Sequence, residues 1–378
     1  MSSTFSVRSF TKPGPVRTAS GFAIAAIILF GLAPAVLSDF RLGLLGKFLC
    51  FAIVAVGIGL AWGRGGMLTL GQGVFFGLGA YIMAMHLKIS DAELRGDTVP
   101  DFMQIAGIRE LPAYWVPFAS PAVTLLAILI VPALIAALLG FGVFARRVKG
   151  AYFAILSQAL AAAFAILLVG QQSTGGSNGL NRFRTFFGYD LSDPVNKRML
   201  FFIVAAILLL VVAATRQLMQ SRYGELLVAV RDQEERVRFL GYDPALIKVA
   251  AYTVAAFFAG IAGAMFVPIV GIISPADVGI VPSIAFLIGV AIGGRTTLLG
   301  PVLGAVGVAW AQTTLSENFP SAWTYAQGLL FIVVVGFFPA GLAGVITLLR
   351  RRRRTTPTEP TPPAEPETAD LPEMEPVR

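Results

Sequence analysis

Between the ends of this chain, residues 221–244 hold a dense cluster of charged residues, with a spacing that could form a recognition surface. The charges include Asp232 with Arg236 and Glu234 with Arg238, acid-before-base pairs four residues apart, which is the better orientation for stabilising a helix. Apolar residues recur every three or four positions and would form one stripe on a helix of 3.6 residues per turn. These residues are Leu226, Leu227, Val230, Val237 and Leu240. The stretch therefore predicts one amphipathic helix, which Gly241 and Asp243-Pro244 should end.

This predicted helix has two interpretations. It lies between two strongly apolar segments, where a bare loop would connect the chain at lower cost. A balanced charged surface in that place is what a partner protein could bind. The alternative is a solvated connecting helix that only fixes topology, since a charge run is often just a solvated surface. The residues alone leave both interpretations open.

Catalytic groupings are not found in the sequence. The single cysteine, Cys50, and the single histidine, His86, both lie in apolar stretches, without the partners that nucleophilic or metal chemistry needs. No G-x-x-x-x-G-K-[ST] phosphate loop occurs. The glycine-rich run at residues 63–73 lacks the lysine of such a loop and is interpreted as helix termini and close packing. We therefore do not expect an enzyme, a metal site or a cofactor bound by this chain.

Isolated polar side chains within apolar runs are the other candidates. A buried amide or hydroxyl in a membrane needs a partner, so each either bonds a neighbouring helix or lines a polar path. For any single residue helix bonding is the commoner role. The candidate path residues are Thr69, Gln72, Gln158 and Ser283. Gln72 is the strongest of them, because Gly71 and Gly73 flank it.

Composition defines the elements that must position these residues. The chain is 56% hydrophobic and only 13% charged, with a mean hydropathy of +0.77, which excludes a soluble globular domain. The formal charge of +8 lies at the ends of apolar segments and in one terminal run, so it does not indicate nucleic-acid binding. We predict an all-α polytopic membrane protein with about ten transmembrane helices. The predicted spans are residues 21–38, 44–62, 67–87, 120–144, 151–170, 199–215, 249–273, 279–293, 297–315 and 324–349.

The distribution of basic residues predicts the orientation. With both termini cytoplasmic, 20 of the 29 lysines and arginines fall in inner segments and 9 fall outside or within spans. The predicted organisation is a cytoplasmic tail (1–20), a transmembrane domain (21–349) and a basic cluster with a disordered Pro- and Glu-rich tail (350–378). Within the membrane domain, residues 88–119 and 171–198 are predicted outer loops, and residues 221–244 face the cytoplasm.

Acidic residues are absent from all ten predicted spans. Ion-coupled carriers commonly place ionisable residues at mid-membrane, where their energetic cost marks function. A chain without them is expected to take its energy from another protein, which favours the partner-binding interpretation of residues 221–244.

Six runs, in order, resemble the permease subunits of branched-chain amino acid and urea/amide ABC importers. They are LTLGQGVFFGLGAY (68–81), KGAYFAILSQA (149–159), GGSNGL (175–180), SRYGELLVAVRDQEERVRFLGYDP (221–244), GIAGAMFVPIVGIISP (260–275) and GGRTTLLGPVLGA (293–305). The resemblance is greatest to the second (C-type) permease of the urea importers. It implies a multi-pass protein of the bacterial inner membrane that moves solute but is not itself the ATPase.

The resemblance also implies partners and the residues that meet them. Expected partners are a second homologous permease, two ATP-binding subunits that carry ATP and Mg²⁺, a periplasmic substrate-binding protein and membrane lipids. Residues 221–244 would correspond to the loop that docks on an ATPase. The docking residues would be Gly224, Glu225, Ala229, Arg231, Asp232, Glu235 and Gly241.

Substrate identity is the least constrained expectation. Urea or a short amide suits spans without acidic residues, whereas an amino acid is the alternative within the same machinery. A passive channel and a secondary carrier are more remote alternatives. Two positions depart from the urea-type pattern, which usually has Glu after PSI and reads GGRGT, because this chain has Ala285 and Thr296 there.

Overall fold

The structure, a computed structural model, describes residues 15–148 and 150–318, with five further helical residues at positions 325, 328, 329, 332 and 333. The described chain is almost entirely helical. Its helices are α1 (Pro15–Ala26), α2 (Ala33–Val36), α3 (Asp39–Ile58), α4 (Gln72–Arg95), α5 (Asp101–Ile105), α6 (Pro121–Phe144), α7 (Ala151–Gly170), α8 (Pro194–Gln220), α9 (Arg222–Phe239), α10 (Pro244–Val270), α11 (Ile280–Gly293) and α12 (Gly300–Asn318). The prediction of an all-α membrane protein is confirmed.

Three helices form the centre of the bundle. In the apolar windows of α4 and of the Asp39–Arg64 span, 89% and 78% of the residues are buried inside the protein, and α10 packs against both helices. At the periphery, only 6% of the Ala19–Val36 span is buried, so its apolar side chains face outward. The first helix begins at Pro15, within the predicted tail 1–20, and its apolar span begins at Ala19.

Small residues allow the central helices to touch, as the small-xxx-small patterns predict. A Cβ added at Gly79 of α4 would overlap the carbonyl group of Gly260 in α10, and one at Gly263 would overlap the carbonyl of Phe76. Between α11 and α12, a Cβ at Gly289 would lie 2.8 Å from the Cα of Ala305. Larger side chains at these positions would separate the helices.

Within the described residues, eight helices are long and apolar enough to cross a membrane, and they correspond to the first eight predicted spans. The ninth predicted span, 297–315, corresponds to α12, whose second half is polar. The tenth predicted span, 324–349, lies almost wholly outside the described residues, and the predicted tail 350–378 lies entirely outside them. Pro282 does not break the eighth span, because it occupies the first turn of α11.

The third predicted span differs most from the structure. The prediction begins a helix at residue 67, but α4 begins at Gln72 and continues to Arg95, into what was predicted as an outer loop. The second outer loop is likewise shorter than predicted, since α8 begins at Pro194. The segment before α4, residues 65–71, follows the π-helical end of the preceding span at Arg64 and has no regular helix. We call residues 65–71 the unwound segment.

Two short β-pairs fold the second outer loop onto the bundle. β1 (Leu180–Asn181) pairs antiparallel with β4 (Ile272–Ile273) after α10, and β2 (Thr185–Phe186) pairs with β3 (Tyr189–Asp190). The buried carboxylate of Asp91 in α4 accepts hydrogen bonds from the amides of Arg184 and Thr185, at 2.8 and 3.1 Å. The loop is therefore held to the helices by polar groups with well-defined partners.

Candidate functional site

The predicted docking helix is α9 together with the turn before α10. The Ser221 hydroxyl accepts a hydrogen bond from the amide of Gly224, and Glu225 lies in the first turn, both of which favour helix initiation. The helix is not continuous, however, because Gln233 has φ −149° and ψ 75°. The prediction of one uninterrupted helix is therefore wrong.

The kink at Gln233 also changes the predicted ion pairs. Glu234 pairs with Arg238 as predicted, at 3.4 Å, and Lys248 of α10 lies 2.8 Å from the same glutamate. Asp232 instead pairs with its neighbour Arg231, at 2.8 Å. The predicted pair of Asp232 with Arg236 does not form, because the non-helical residue lies between them and breaks the four-residue spacing.

The apolar stripe of α9 is only partly buried. Leu227, Val230 and Val237 are buried, as predicted for the side that packs on the bundle. Leu240 is 76% exposed, contrary to the stripe prediction, because the chain turns at Gly241. Phe239 is 91% exposed and Tyr242 is 50% exposed. These three side chains form an apolar tip at the end of the docking helix.

The seven predicted docking residues divide into two groups. Glu225, Ala229, Asp232 and Glu235 are exposed; the first three are spaced four and three residues apart, which places them on one surface of the helix. Gly224 and Gly241 shape the backbone. A Cβ at Gly224 would lie 2.5 Å from the Met219 carbonyl oxygen, and Gly241 has φ +88°.

Arg231 belongs to both groups, because its side chain connects the docking helix to the membrane bundle. Its Nη1 donates a 2.8 Å hydrogen bond to the carbonyl oxygen of Gly63, and its Nε contacts Asp232. Gly66 has φ +68°, and a Cβ there would lie 2.7 Å from Cγ of Arg231. The arginine therefore lies directly against the start of the unwound segment.

Arg295, in the connection between α11 and α12, contacts the same place. A Cβ at Gly63 would overlap the carbonyl oxygen of Arg295, and the Arg295 guanidinium lies 4.8 Å from the ring centroid of Trp62. The predicted role of residues 63–73 in close packing is thus confirmed. This end of the bundle has Arg231 and Arg295 packed on one backbone turn.

Two serines hold the unwound segment and the start of α4. Ser157 Oγ of α7 accepts a 3.0 Å hydrogen bond from the amide of Leu70, and Ser283 Oγ of α11 accepts one of the same length from Gly73. Ser283 also donates to the carbonyl of Gly279. Both hydroxyls therefore satisfy backbone groups. Ser283, predicted as a path residue, therefore joins the start of α4 to α11.

The other predicted path residues have different environments. Gln72 is buried, and neither its Oε1 nor its Nε2 has a hydrogen-bond partner among the described residues. Thr69 is also buried and lies beside Tyr252. Its hydroxyl makes no hydrogen bond of normal length and angle to a described residue. Gln158, on α7, is half-buried. The structure thus brings Thr69, Gln72 and Ser283 together at the start of α4.

At the other end of α4, the predicted first outer loop carries a small ionic cluster. Lys88, buried in α4, lies 3.1 Å from Asp101, and Arg95 lies 3.5 Å from the same carboxylate. Burial alone would raise the pKa of Asp101, but the Lys88 hydrogen bond and charge, the Phe102 amide and Arg95 lower it overall. Asp101 therefore stays ionised well below neutral pH. The sequence prediction did not identify this cluster.

The sequence of the chain is similar to those of known transport proteins. A family model described as "Branched-chain amino acid transport system / permease component" matches residues 40–338. The "High-affinity branched-chain amino acid transport system permease protein LivM" of Escherichia coli (strain K12) is 26% identical over 346 residues, covering 85% of this chain and 74% of that protein. The protein of the same name from Salmonella typhimurium (strain LT2) is 26% identical over 348 residues, with the same coverage. No solved structure matches the chain significantly.

Proposed function

Because the chain belongs to the branched-chain amino acid transport system permease family, we propose that it forms part of the translocation path of an ATP-driven amino acid importer. The family match carries this proposal, since residues 40–338 include the whole central bundle and the docking helix. The chain is a transport permease and not an enzyme. Its place is the bacterial inner membrane, which it crosses several times.

A branched-chain amino acid is the substrate that we propose. Both curated relatives carry that substrate in their names, whereas no finding supports the urea or short-amide prediction. The alternative in the sequence prediction is therefore the better one. The departures at Ala285 and Thr296 agree with this choice, because they are the positions where the chain leaves the urea-type pattern.

The proposed partners are a second permease, two ATP-binding subunits holding ATP and Mg²⁺, a periplasmic binding protein and the surrounding lipids. Two features of the docking helix support an ATP-binding subunit as its partner. The first is the surface formed by Glu225, Ala229 and Asp232, and the second is the apolar tip formed by Phe239, Leu240 and Tyr242. Exposed apolar residues beside charged ones are typical of protein interfaces.

The geometry suggests how motion of the docking helix reaches the membrane. Displacement of α9 would move Arg231, which is bonded to the Gly63 carbonyl and packed on Gly66. The unwound segment begins there; the amides of Gly65, Gly66 and Met67 still bond back to the preceding helix, whereas residues 68–71 have no regular helical structure that would resist movement. At its other end lies Gln72, whose unpaired amide could bond a passing solute in one state and a protein group in another.

The experiment that tests this function replaces three docking residues together: Arg231→Ala, Asp232→Ala and Glu235→Ala. We expect ATP-dependent uptake of labelled leucine into a deletion strain to be lost, because the surface that receives the ATP-driven motion is removed. Membrane insertion should be unchanged, since all three side chains lie on α9. Arg222→Ala, an exposed charge of the same helix outside the predicted set, is the control and should retain uptake.

Two outcomes would contradict the proposal. Leucine uptake by the native complex that persists without ATP would indicate a channel or a secondary carrier. Saturable uptake of urea, without uptake of leucine, would restore the urea prediction.

A further inference from the structure

A cleft lined by α3, α11 and α12 contains the only lysine predicted within a membrane span, Lys47. Two cavities of about 180 and 200 Å³ share Lys47, Phe51, Ala309 and Gln312 in their walls. The first also contacts the start of α11 at Val281 and Pro282. We call this space the Lys47 cleft; its combined volume suits a solute the size of a small amino acid.

Lys47 is poorly compensated where it lies. It is eight residues into α3, about 12 Å along the helix from its first residue, Asp39. Its ammonium group lies 5.8 Å from the Phe51 ring centroid, and within the described part of the chain it has no carboxylate within 4.0 Å. The remaining wall is largely apolar, with Phe286, Ala285 and Ala305. A cation in such a setting is energetically costly and is retained where it binds something.

Other polar groups of the cleft complement the ammonium. The Gln312 amide faces both cavities and makes no hydrogen bond to another described residue. The start of α11 adds the positive end of a helix dipole close to Lys47. Glu317 lines only the second cavity and the start of α11 lines only the first, whereas Lys47 lies in the walls of both. The first cavity, which has no acidic residue in its wall, thus favours a carboxylate, and the second offers Glu317 to an ammonium group.

From this arrangement we infer that the Lys47 cleft binds the carboxylate of a zwitterionic amino acid during translocation. Lys47 supplies the charge, Gln312 a hydrogen bond, and Glu317 a place for the amino group. This inference rests on the proposed function and deepens it, because it assigns the substrate class to named groups of the permease.

Ala285 supports the same assignment. It lines the first cavity together with Lys47, and no acidic side chain lies in the wall of that cavity. A glutamate in that wall would attract the lysine and neutralise it, leaving a cleft suited to an uncharged amide. With alanine at position 285, the ammonium group stays available for a carboxylate. Position 285 would thus determine substrate specificity.

The test measures leucine binding to the purified transporter complex without its binding protein, by saturation-transfer-difference NMR. This arrangement isolates the permease, because the binding protein has its own site. We expect the native complex to bind leucine and to discriminate against leucinamide, which lacks the carboxylate. Lys47→Met should weaken leucine binding by tenfold or more, as expected for loss of a charge-assisted hydrogen bond, roughly a factor of 10 to 100. Lys47→Arg should retain most of it.

Two controls make the result specific. Lys197→Met removes an exposed lysine at the start of α8 and should have no effect. Ala285→Glu and Ala285→Gln add similar volume but differ in charge, so only the glutamate variant should lose the preference for leucine over leucinamide. If the Lys47→Met complex fails to assemble, the comparison of Ala285→Glu with Ala285→Gln still tests whether the Lys47 cleft binds the carboxylate.

Three results would overturn the inference: equal leucine binding by Lys47→Met and the native complex, equal effects of Ala285→Glu and Ala285→Gln, or binding of leucinamide as strong as that of leucine. If the native complex imports leucine with ATP while any of these holds, only the Lys47 cleft assignment fails. If the native complex neither imports nor binds leucine, the proposed function fails.

Discussion

At the scale of single residues, the polar groups near the start of α4 serve different purposes although they look alike in sequence. Ser157 and Ser283 satisfy the amides of Leu70 and Gly73, which the unwound segment leaves without helical partners. Gln72 has a buried amide without a hydrogen-bond partner in the part of the chain that the structure describes. In a membrane an unpaired amide is costly, so its retention at Gln72 is consistent with a transient partner such as the solute.

Ser283→Ala tests the structural role at this scale. It leaves the buried amide of Gly73 without its acceptor, which should destabilise the protein by about 1–3 kcal/mol. The measurement is the thermal unfolding temperature of the purified protein, compared with Ser177→Ala, which removes an exposed loop hydroxyl. An unchanged unfolding temperature together with lost transport would contradict this role and return Ser283 to the predicted path.

At the scale of helices, packing depends on glycines where backbones meet. Gly79 of α4 and Gly260 of α10 touch without any side chain between them, and Gly260 in turn lies against Pro132 of α6. Interfaces of this kind are stabilised by close van der Waals contact, because lipid provides no hydrophobic force between helices. The central bundle therefore depends on the absence of side chains at a few positions.

Gly79→Ala is the corresponding prediction. The added methyl group would overlap the Gly260 carbonyl, so α4 and α10 must separate, at a cost of about 1–3 kcal/mol. Gly142→Ala in α6 makes the same change where nothing lies within 4 Å and should be neutral or slightly stabilising. Yield and thermal stability in detergent measure the difference. Equal behaviour of the two variants would show that this helix contact contributes little.

At the scale of the whole molecule, Arg231 links the docking helix to the centre of the bundle. Its guanidinium contacts the Gly63 carbonyl and Asp232 at the same time, through different nitrogens. A lysine ammonium is a compact point charge and cannot reproduce this forked geometry. The link between the two regions therefore depends on the shape of the arginine as well as on its charge.

Arg231→Lys is therefore expected to uncouple the transporter while preserving its assembly. ATP hydrolysis by the reconstituted complex should continue, whereas leucine transported per ATP should fall several-fold. Arg222→Lys serves as the matched control on the same helix and should retain normal coupling. Parallel loss of hydrolysis and transport would instead assign Arg231 to the docking surface itself.

The sequence by itself determined the class of the protein, its first eight spans and the location of the charged helix α9. These features follow from local composition: apolar length, the period of 3.6 residues and the clustering of charge. Ion pairs within four residues were partly predictable, as Glu234 with Arg238 shows. The pair of Asp232 with Arg236 was not, because the backbone at Gln233 departs from the helix.

Only the tertiary structure decided which residues meet. The late start of α4 depends on hydroxyl groups from α7 and α11, far away in sequence. Arg231 finds its acceptor at Gly63, 168 positions away, and Lys47 shares a cleft with Ala285 and Gln312 on two other helices. A periodic pattern assigns a residue to one side of its own helix. Which helix it faces is fixed by the packing of the whole bundle, and that packing creates the cleft.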